Sequence, residues 1–238
     1  MDKNVILEKI YTIIDTSDWS LPTVCGKGCA TCCTANVMIT AIEGEKILGY
    51  AVDLGWQQWL AERLAATSPH SPPQYTLNDF AEACLAGREL PEDPWSDGAP
   101  CPFLFNHCCR IYPVRPLACR LFASTELCRI DLPASVPQWY FDAATAVSQI
   151  VEHLGQKEYW GRMQDVLLAL LDIRRYSSIA AYVEPSLIIK ARLRTLPARP
   201  LPGYLFSEDP DNRISGLLHR LLDGEVDGRR LGDILGGR

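Results

Sequence analysis

The chain has 238 residues, of which 47% are hydrophobic and 22% are charged, and its formal net charge is −6. This composition is typical of a globular protein that buries a core without disulfide bonds, and the acidic balance is not that of a nucleic-acid-binding protein. Because the N-terminus lacks the apolar run and cleavage site of a signal peptide, and the longest strongly apolar run, residues 166–171, is too short to span a bilayer, we expect a cytoplasmic protein that binds neither nucleic acid nor membranes.

Apolar periodicity predicts α-helix along most of the chain. The first helix covers residues 4–14. A second helical stretch runs to residue 66 and begins at Thr40, which has the spacing of a capping box with Glu43. Three further helices are predicted over residues 76–90, 138–154 and 156–175.

The prolines between residues 101 and 130 exclude a long helix there, although Pro116 is suited to the first turn of a short helix that carries Cys119. No convincing run of alternating strands is present. We predict a mainly α fold, a single globular domain over residues 1–238 with irregular cysteine-rich loops around a metal centre. Its C-terminal part, residues 138–238, is expected to be helical.

Ten cysteines dominate the chemistry of the sequence, and nine of them fall within two segments, 25–34 and 101–130. The tenth, Cys84, lies on a predicted helix with Phe80 and is interpreted as a small core residue. Four cysteines within ten residues of a cytoplasmic chain indicate metal binding or catalysis rather than disulfides. A lone activated thiol would not require so many.

The spacing within the first segment narrows the kind of site. Gly26 and Gly28 favour a loop that wraps around an ion, and on a helix the adjacent Cys32 and Cys33 would point about 100° apart. The two residues therefore serve different centres, or one of them only packs. The Cx₃Cx₂C triplet resembles the one that holds a [4Fe–4S] cluster in radical S-adenosylmethionine enzymes, but the βα repeats of those enzymes are missing here.

Zinc stays open as an alternative, because Cys₄ sites tolerate varied spacing when the ligands come from distant segments. Eight thiolates around two Zn²⁺ ions or two [4Fe–4S]²⁺ cores would leave a charge of about −4, which favours nearby guanidinium groups. Segment 101–130 contains four arginines and one glutamate, and we nominate Arg115 and Arg120 as cofactor-binding residues. The alternative for these arginines is a solvated face. His107, beside Cys108, is a candidate ligand or proton donor.

The two cysteine segments resemble the YkgJ-like CxxCxxCC cysteine-cluster family, described as zinc- or iron-chelating proteins. The matching residues are the CGKGCATCC run and the later CRIYPVRPLACRLF stretch with its trailing Cys128. The gap between Cys25 and Cys29 is three residues, where the family name implies two. Alignment on the CxIY pattern makes Cys109 the family cysteine and Cys108 an extra one. The resemblance implies eight metal ligands: Cys25, Cys29, Cys32, Cys33, Cys101, Cys109, Cys119 and Cys128.

Two functions from different classes follow from this pattern. The first is an iron–sulfur protein with a redox or modification role, since a similar cluster occurs in flagellin lysine methylases. The second is a zinc-stapled interaction or scaffold protein without catalysis. The partner, a protein or a small molecule, is not specified by the sequence, and neither is the choice between one metal centre and two. We do expect the two cysteine segments to meet in space.

Overall fold

A computed structural model describes residues 2–16, 21–26, 28–66, 71–92, 98–129, 132, 134–206, 209 and 211–237. The protein is mainly α, with about 51% of its residues in helices. In chain order, the elements of the described residues are α1 (Lys3–Thr16), β1 (Met38–Thr40), α2 (Ala41–Asp53), α3 (Gln57–Ala65), α4 (Leu77–Leu85), β2 (Leu104–Phe105), β3 (Cys108–Cys109), α5 (Leu117–Leu121), α6 (Gln138–Leu154), β4 (Tyr159–Arg162), α7 (Met163–Leu170), α8 (Ser177–Ala180), α9 (Pro185–Arg194), β5 (Leu196–Pro197), α10 (Arg213–Asp223), β6 (Glu225–Val226), β7 (Arg229–Arg230) and α11 (Leu231–Leu235).

Several helices begin where the sequence predicts. Thr40 and Glu43 form a capping box at the start of α2, and Thr76 forms a second one with Asp79 at the start of α4. In each box the threonine oxygen accepts from a backbone amide that the helix itself leaves without a partner. The predicted helix from Thr40 to residue 66 is divided into α2 and α3, because Gly55 adopts φ +70. A positive φ is outside the range of an α-helix.

The predicted helix over 156–175 was wrong in its first part. Lys157 has φ +71 and Gly161 has φ +157, neither of which is helical. Residues 159–162 form β4, the central strand of a three-stranded antiparallel sheet with the order β1-β4-β5. Thr40 is opposite Trp160, and Trp160 is opposite Leu196 on the other side. Two distant strands thus overrode the local helical pattern, and the helix α7 begins only at Met163.

Two clusters of buried side chains form the core. The first core cluster lies mainly among α1, α5, α6 and α10, and the second among α2, α3, α7 and α8. Segment 101–130 contributes Leu117 and Leu121 to the first cluster, and Phe103 and Ile111 to the second. The cysteine-bearing chain therefore lies across both clusters, and these four apolar side chains are at most 6% exposed. Among the described helices, none has the length and apolar content needed to cross a bilayer.

Candidate metal centre

The two cysteine segments meet, as the sequence predicts, through a short antiparallel contact. Thr34 forms an isolated bridge with Pro100, Cys101 donates its amide to the carbonyl of Cys33 at 2.9 Å, and Ala35 donates to Ala99 at 2.8 Å. The proline is tolerated because residues 34 and 100 form a pair that exchanges no hydrogen bond. This register places Cys33 directly opposite Cys101. Opposed residues of antiparallel strands carry their side chains on one face, with Cβ atoms about 4.5–5.5 Å apart.

A β-hairpin directs the adjacent residues Cys108 and Cys109 to opposite faces. Strands β2 and β3 pair Leu104 with Cys109 and Phe105 with Cys108. Asn106 and His107 form the turn with φ of +46 and +59, the positive angles that a tight two-residue hairpin requires. Successive strand residues point to opposite faces. Cys109 accordingly packs against the second core cluster, whereas Cys108 is exposed.

The short helix α5 carries Cys119 and is held at its N-terminus by Glu43. The Glu43 carboxylate is buried, with 3% of the residue exposed. It accepts from the Leu117 amide at 2.7 Å, from the Tyr11 hydroxyl at 3.0 Å, and from the amide and hydroxyl of Thr40 at 2.9 and 3.0 Å. The sequence pattern identifies Glu43 only as part of a capping box. Its contact with Leu117, 74 residues away, has no local sequence signal.

A second organising residue, Ser124, also has no signal in the sequence. Its side chain is fully buried, donates to the Glu126 carbonyl at 2.6 Å and accepts from the amides of Glu126 and Ser135 at 3.2 and 3.1 Å. The Ser124 carbonyl accepts from the Val24 amide at 3.0 Å. Ser124 therefore holds the loop that carries Cys128 and attaches it to the residue before Cys25.

The cysteine side chains separate into two sets by burial and by their electrostatic neighbours. The inner set is half-buried and consists of Cys33, Cys101, Cys109 and Cys119. The outer set is more exposed, with only its last member half-buried, and consists of Cys25, Cys29, Cys32 and Cys128.

Within the inner set, thiolate charges disfavour one another. Burial, together with charge on Cys101 and Cys109, raises the pKa of the Cys119 thiol to about 12. Burial, with charge on Cys109, raises the pKa of Cys101 to about 11. Burial also raises the pKa of Cys109, although the Arg115 guanidinium opposes that shift. These thiols are protonated near neutral pH unless a cation stabilises their thiolates.

Within the outer set, Cys25 lies within electrostatic range of cysteines from both segments. Burial raises the pKa of the Cys25 thiol, and charges on Cys29, Cys32 and Cys128 act in the same direction. The Cys32 and Cys33 thiols hydrogen bond to one another, which raises the pKa of Cys32 and lowers that of Cys33. The outer and inner sets are therefore adjacent at Cys32, whose charge also acts on Cys119 of the inner set.

The nominated arginines lie beside the site and make several contacts of their own. Arg115 stacks over the Tyr112 ring, with Cζ 4.0 Å from the centroid, and donates to the Tyr112 carbonyl at 3.1 Å. Arg120 donates to Asp15 at 2.9 Å and to the Arg115 carbonyl at 3.0 Å. Of the two nominated arginines, Arg115 is the one whose charge acts on a cysteine, Cys109. Arg120 instead links α1 to the cysteine segment through Asp15.

Other candidate residues lie elsewhere. The expectation that Cys84 is a core residue was wrong: Cys84 is exposed, because α4 buries Asn78, Ala81 and Ala83 instead. His107 is exposed in the hairpin turn. His153 has a structural role, since Nδ1 accepts from the Leu201 amide at 3.0 Å and Nε2 lies 2.8 Å from the Leu235 carbonyl. His219 is exposed, and His70 lies outside the described residues.

Sulfur donors of this number fit zinc or iron, which both accept four thiolates. In the described part of the chain, however, no three His, Cys, Asp or Glu side chains converge closely enough to hold one ion as they stand. A cysteine sulfur is positioned by a single torsion with three staggered minima. The thiols must therefore turn toward one another when metal binds, and the hydrogen bond between Cys32 and Cys33 must give way.

One of three comparisons with known proteins identifies a family, and its description agrees with this donor set. Neither the curated proteins nor the solved structures include a match to the chain. A family model described as "CxxCxxCC: Putative zinc- or iron-chelating domain" matches residues 24–145, more than half of the chain. That range includes all eight cysteines of the two sets as well as Glu43 and Ser124. The chain belongs to the CxxCxxCC family.

Proposed function

We propose that the eight cysteines of the inner and outer sets bind iron–sulfur clusters, most simply of the [4Fe–4S] type, and that the protein acts in electron transfer or in a modification reaction. The observation that carries the proposal is the exposure of the Cx₃Cx₂C triplet, Cys25, Cys29 and Cys32, on one surface loop. A cluster held there would be within reach of a partner molecule. A structural zinc ion has no redox chemistry and needs no such access to a partner.

The residues around the cysteines suit the negative charge of such a centre. Two [4Fe–4S]²⁺ cores on eight thiolates would carry a net charge of about −4, and solvent exposure, nearby charge and hydrogen bonds to sulfur set the reduction potential of a cluster. When bound, the cluster would supply one-electron chemistry. The chain itself would provide the thiolates and the positive charge of Arg115 beside Cys109, and the backbone contacts around Ser124 would hold the outer ligands in place.

A zinc scaffold is the second candidate, and the inner set favours it. Cys33, Cys101, Cys109 and Cys119 are half-buried, and two of them pack directly against the second core cluster. A metal held by this set would join the first cysteine segment to the hairpin and to α5. Structural zinc stabilises small folds in this way, because the free energy of metal binding becomes free energy of folding.

Anaerobic purification distinguishes the two candidates. The proposal expects a brown protein with absorbance at about 400 nm that contains iron and acid-labile sulfide. A matched Cys84→Ser variant is expected to keep both, because Cys84 is on α4, outside the two sets. A colourless protein with bound zinc and no iron would replace the proposal by the scaffold. A protein that binds neither metal under reducing conditions would overturn both.

A further inference from the structure

We propose that the surface around the β2–β3 hairpin is a docking face for an acidic protein partner. This docking face consists of Trp56, Phe105, Arg110, Tyr112 and Arg115. The inference goes beyond the proposed function and does not depend on it, because these side chains are present whichever metal the cysteines bind.

The docking face lies in a stretch of chain whose charge is opposite to that of the whole protein. Residues 98–125 contain three arginines and no aspartate or glutamate, whereas the chain has a net charge of −6. Arg120 is paired with Asp15 at 2.9 Å. Within the described part of the chain, Arg110 and Arg115 have no carboxylate partner. Their charge is therefore available to an acidic group of another molecule.

Two aromatic rings hold the Arg110 side chain in place. Its Cζ atom lies 4.7 Å from the centroid of the Phe105 ring and 5.8 Å from the centroid of the Trp56 ring. Phe105 belongs to the hairpin and Trp56 immediately precedes α3, so these cation–π contacts attach the guanidinium to both elements. An arginine positioned in this way loses less conformational entropy when it binds a carboxylate than a mobile side chain does.

The aromatic rings of the docking face are supported from the core. The centroid of Trp56 lies 5.2 Å from that of Trp59, which in turn lies 6.2 Å from the fully buried Phe103. At the turn after the hairpin the pairing of arginine and ring is repeated, since Cζ of Arg115 lies 4.0 Å from the centroid of Tyr112. Both unpaired arginines are thus positioned before any partner arrives.

The docking face also offers apolar surface that a partner can cover. Phe105 is 53% exposed and Tyr112 is 56% exposed, and neither ring is part of the two core clusters of the described residues. Aromatic residues and arginine are the types enriched in protein interfaces, and tryptophan, tyrosine and arginine dominate their binding energy. Nucleic acid would require a broader basic surface than two free arginines in an acidic chain. The combination instead fits a protein surface on which carboxylates surround an apolar side chain.

The test measures the binding of a fluorescein-labelled peptide to the reduced full chain by fluorescence anisotropy. The peptide is rich in glutamate and aspartate with interspersed phenylalanines, and a matched peptide has glutamine and asparagine in place of the acids. The acidic peptide is expected to bind, and its binding should weaken between about 0.1 and 1 M salt, because the Debye length falls from about 10 to 3 Å.

Variants of the docking face locate the binding. Arg110→Gln and Phe105→Ala are each expected to raise the Kd of the acidic peptide by about tenfold, with bound metal unchanged. The matched control is Arg220→Gln, which removes the same charge from an exposed position of α10 and should leave the Kd unchanged. Both substituted side chains of the docking face are exposed, so the variants are expected to fold, and circular dichroism checks this.

Several results would overturn the inference. These are no binding of the acidic peptide, equal binding of the neutral peptide, or equal affinity of wild-type protein and Arg110→Gln. Self-association in sedimentation velocity that Arg110→Gln abolishes would identify a second copy of the chain as the occupant instead. Tighter binding of a single-stranded oligonucleotide than of the acidic peptide would assign the face to nucleic acid. Each of these results leaves metal binding by the cysteines, and with it the proposed function, intact.

Discussion

Replacing Glu43 by Gln should destabilise the protein far more than the same change in an ordinary capping box. Each Glu43 oxygen accepts two hydrogen bonds. Oε1 accepts from the Tyr11 hydroxyl and the Leu117 amide, and Oε2 accepts from the amide and hydroxyl of Thr40. A glutamine keeps one acceptor oxygen and places an NH₂ group against the remaining donors. The hydroxyls can rotate away, but in either orientation of the amide one backbone N–H is left facing the NH₂ group.

The magnitude follows from these contacts. A hydrogen bond to a charged group contributes about 1.5–3 kcal/mol, and a buried donor without a partner costs about 1–3 kcal/mol. Burial raises the pKa of Glu43, so removing the charge recovers part of its desolvation cost. The net loss expected for Glu43→Gln is about 2–4 kcal/mol. Because the Leu117 amide begins α5, the variant should also bind metal at Cys119 more weakly.

The matched control is Asp79→Asn in the capping box of α4. Asp79 accepts from the Thr76 amide at 3.1 Å and pairs with the Arg199 guanidinium at 2.9 Å. Its side chain is 30% exposed, so water can replace the lost amide contact, and a partly exposed ion pair contributes little. Its expected cost is that of an ordinary cap, about 1 kcal/mol. Urea unfolding of the reduced protein measures both values. Equal destabilisation by the two substitutions would refute the conclusion that Glu43 joins the cysteine helix to the core.

Three further outcomes are expected. Cys109→Ser should reduce the bound metal measured by mass spectrometry, whereas Cys108→Ser and Cys84→Ser should retain it in full. Equal losses at Cys108 and Cys109 would contradict the assignment of Cys109, and not Cys108, as the metal ligand. Ser124→Ala should lower the free energy of unfolding by about 1–3 kcal/mol and speed amide exchange in the loop; unchanged exchange would exclude its organising role. The thiol of Cys119 has a folded-state pKa raised by burial to about 12, against 9.0 for an ordinary thiol. Its stabilising contribution in the metal-stripped protein should therefore be complete below pH 9 and decline above it, by up to about 1.4 kcal/mol per pH unit. Denaturation series should show a steeper decline than for Cys119→Ser, and parallel curves would contradict the burial of this thiol.

Features that depend on neighbours in the chain were predictable from the sequence. The stripe of the first helix, the capping box at Thr40 and the span of α6 all match their predictions, because helix periodicity and capping act over a few residues. The crowding of cysteines also indicated metal chemistry, and the spacing of the two cysteine segments was enough to identify the family. The preference for Cys109 over Cys108 came from the CxIY pattern.

Tertiary structure decided how those local features combine. The strand at 159–162 forms because β1 and β5 lie on either side of it, which its own residues do not reveal. Cys84 is exposed because other residues of α4 face the core. The roles of Glu43 and Ser124, and the division of eight thiols into an inner and an outer set, depend on contacts between residues 11 to 100 positions apart. Such contacts are determined by how the helices pack around two buried clusters. They cannot be inferred from the spacing of residues in the sequence.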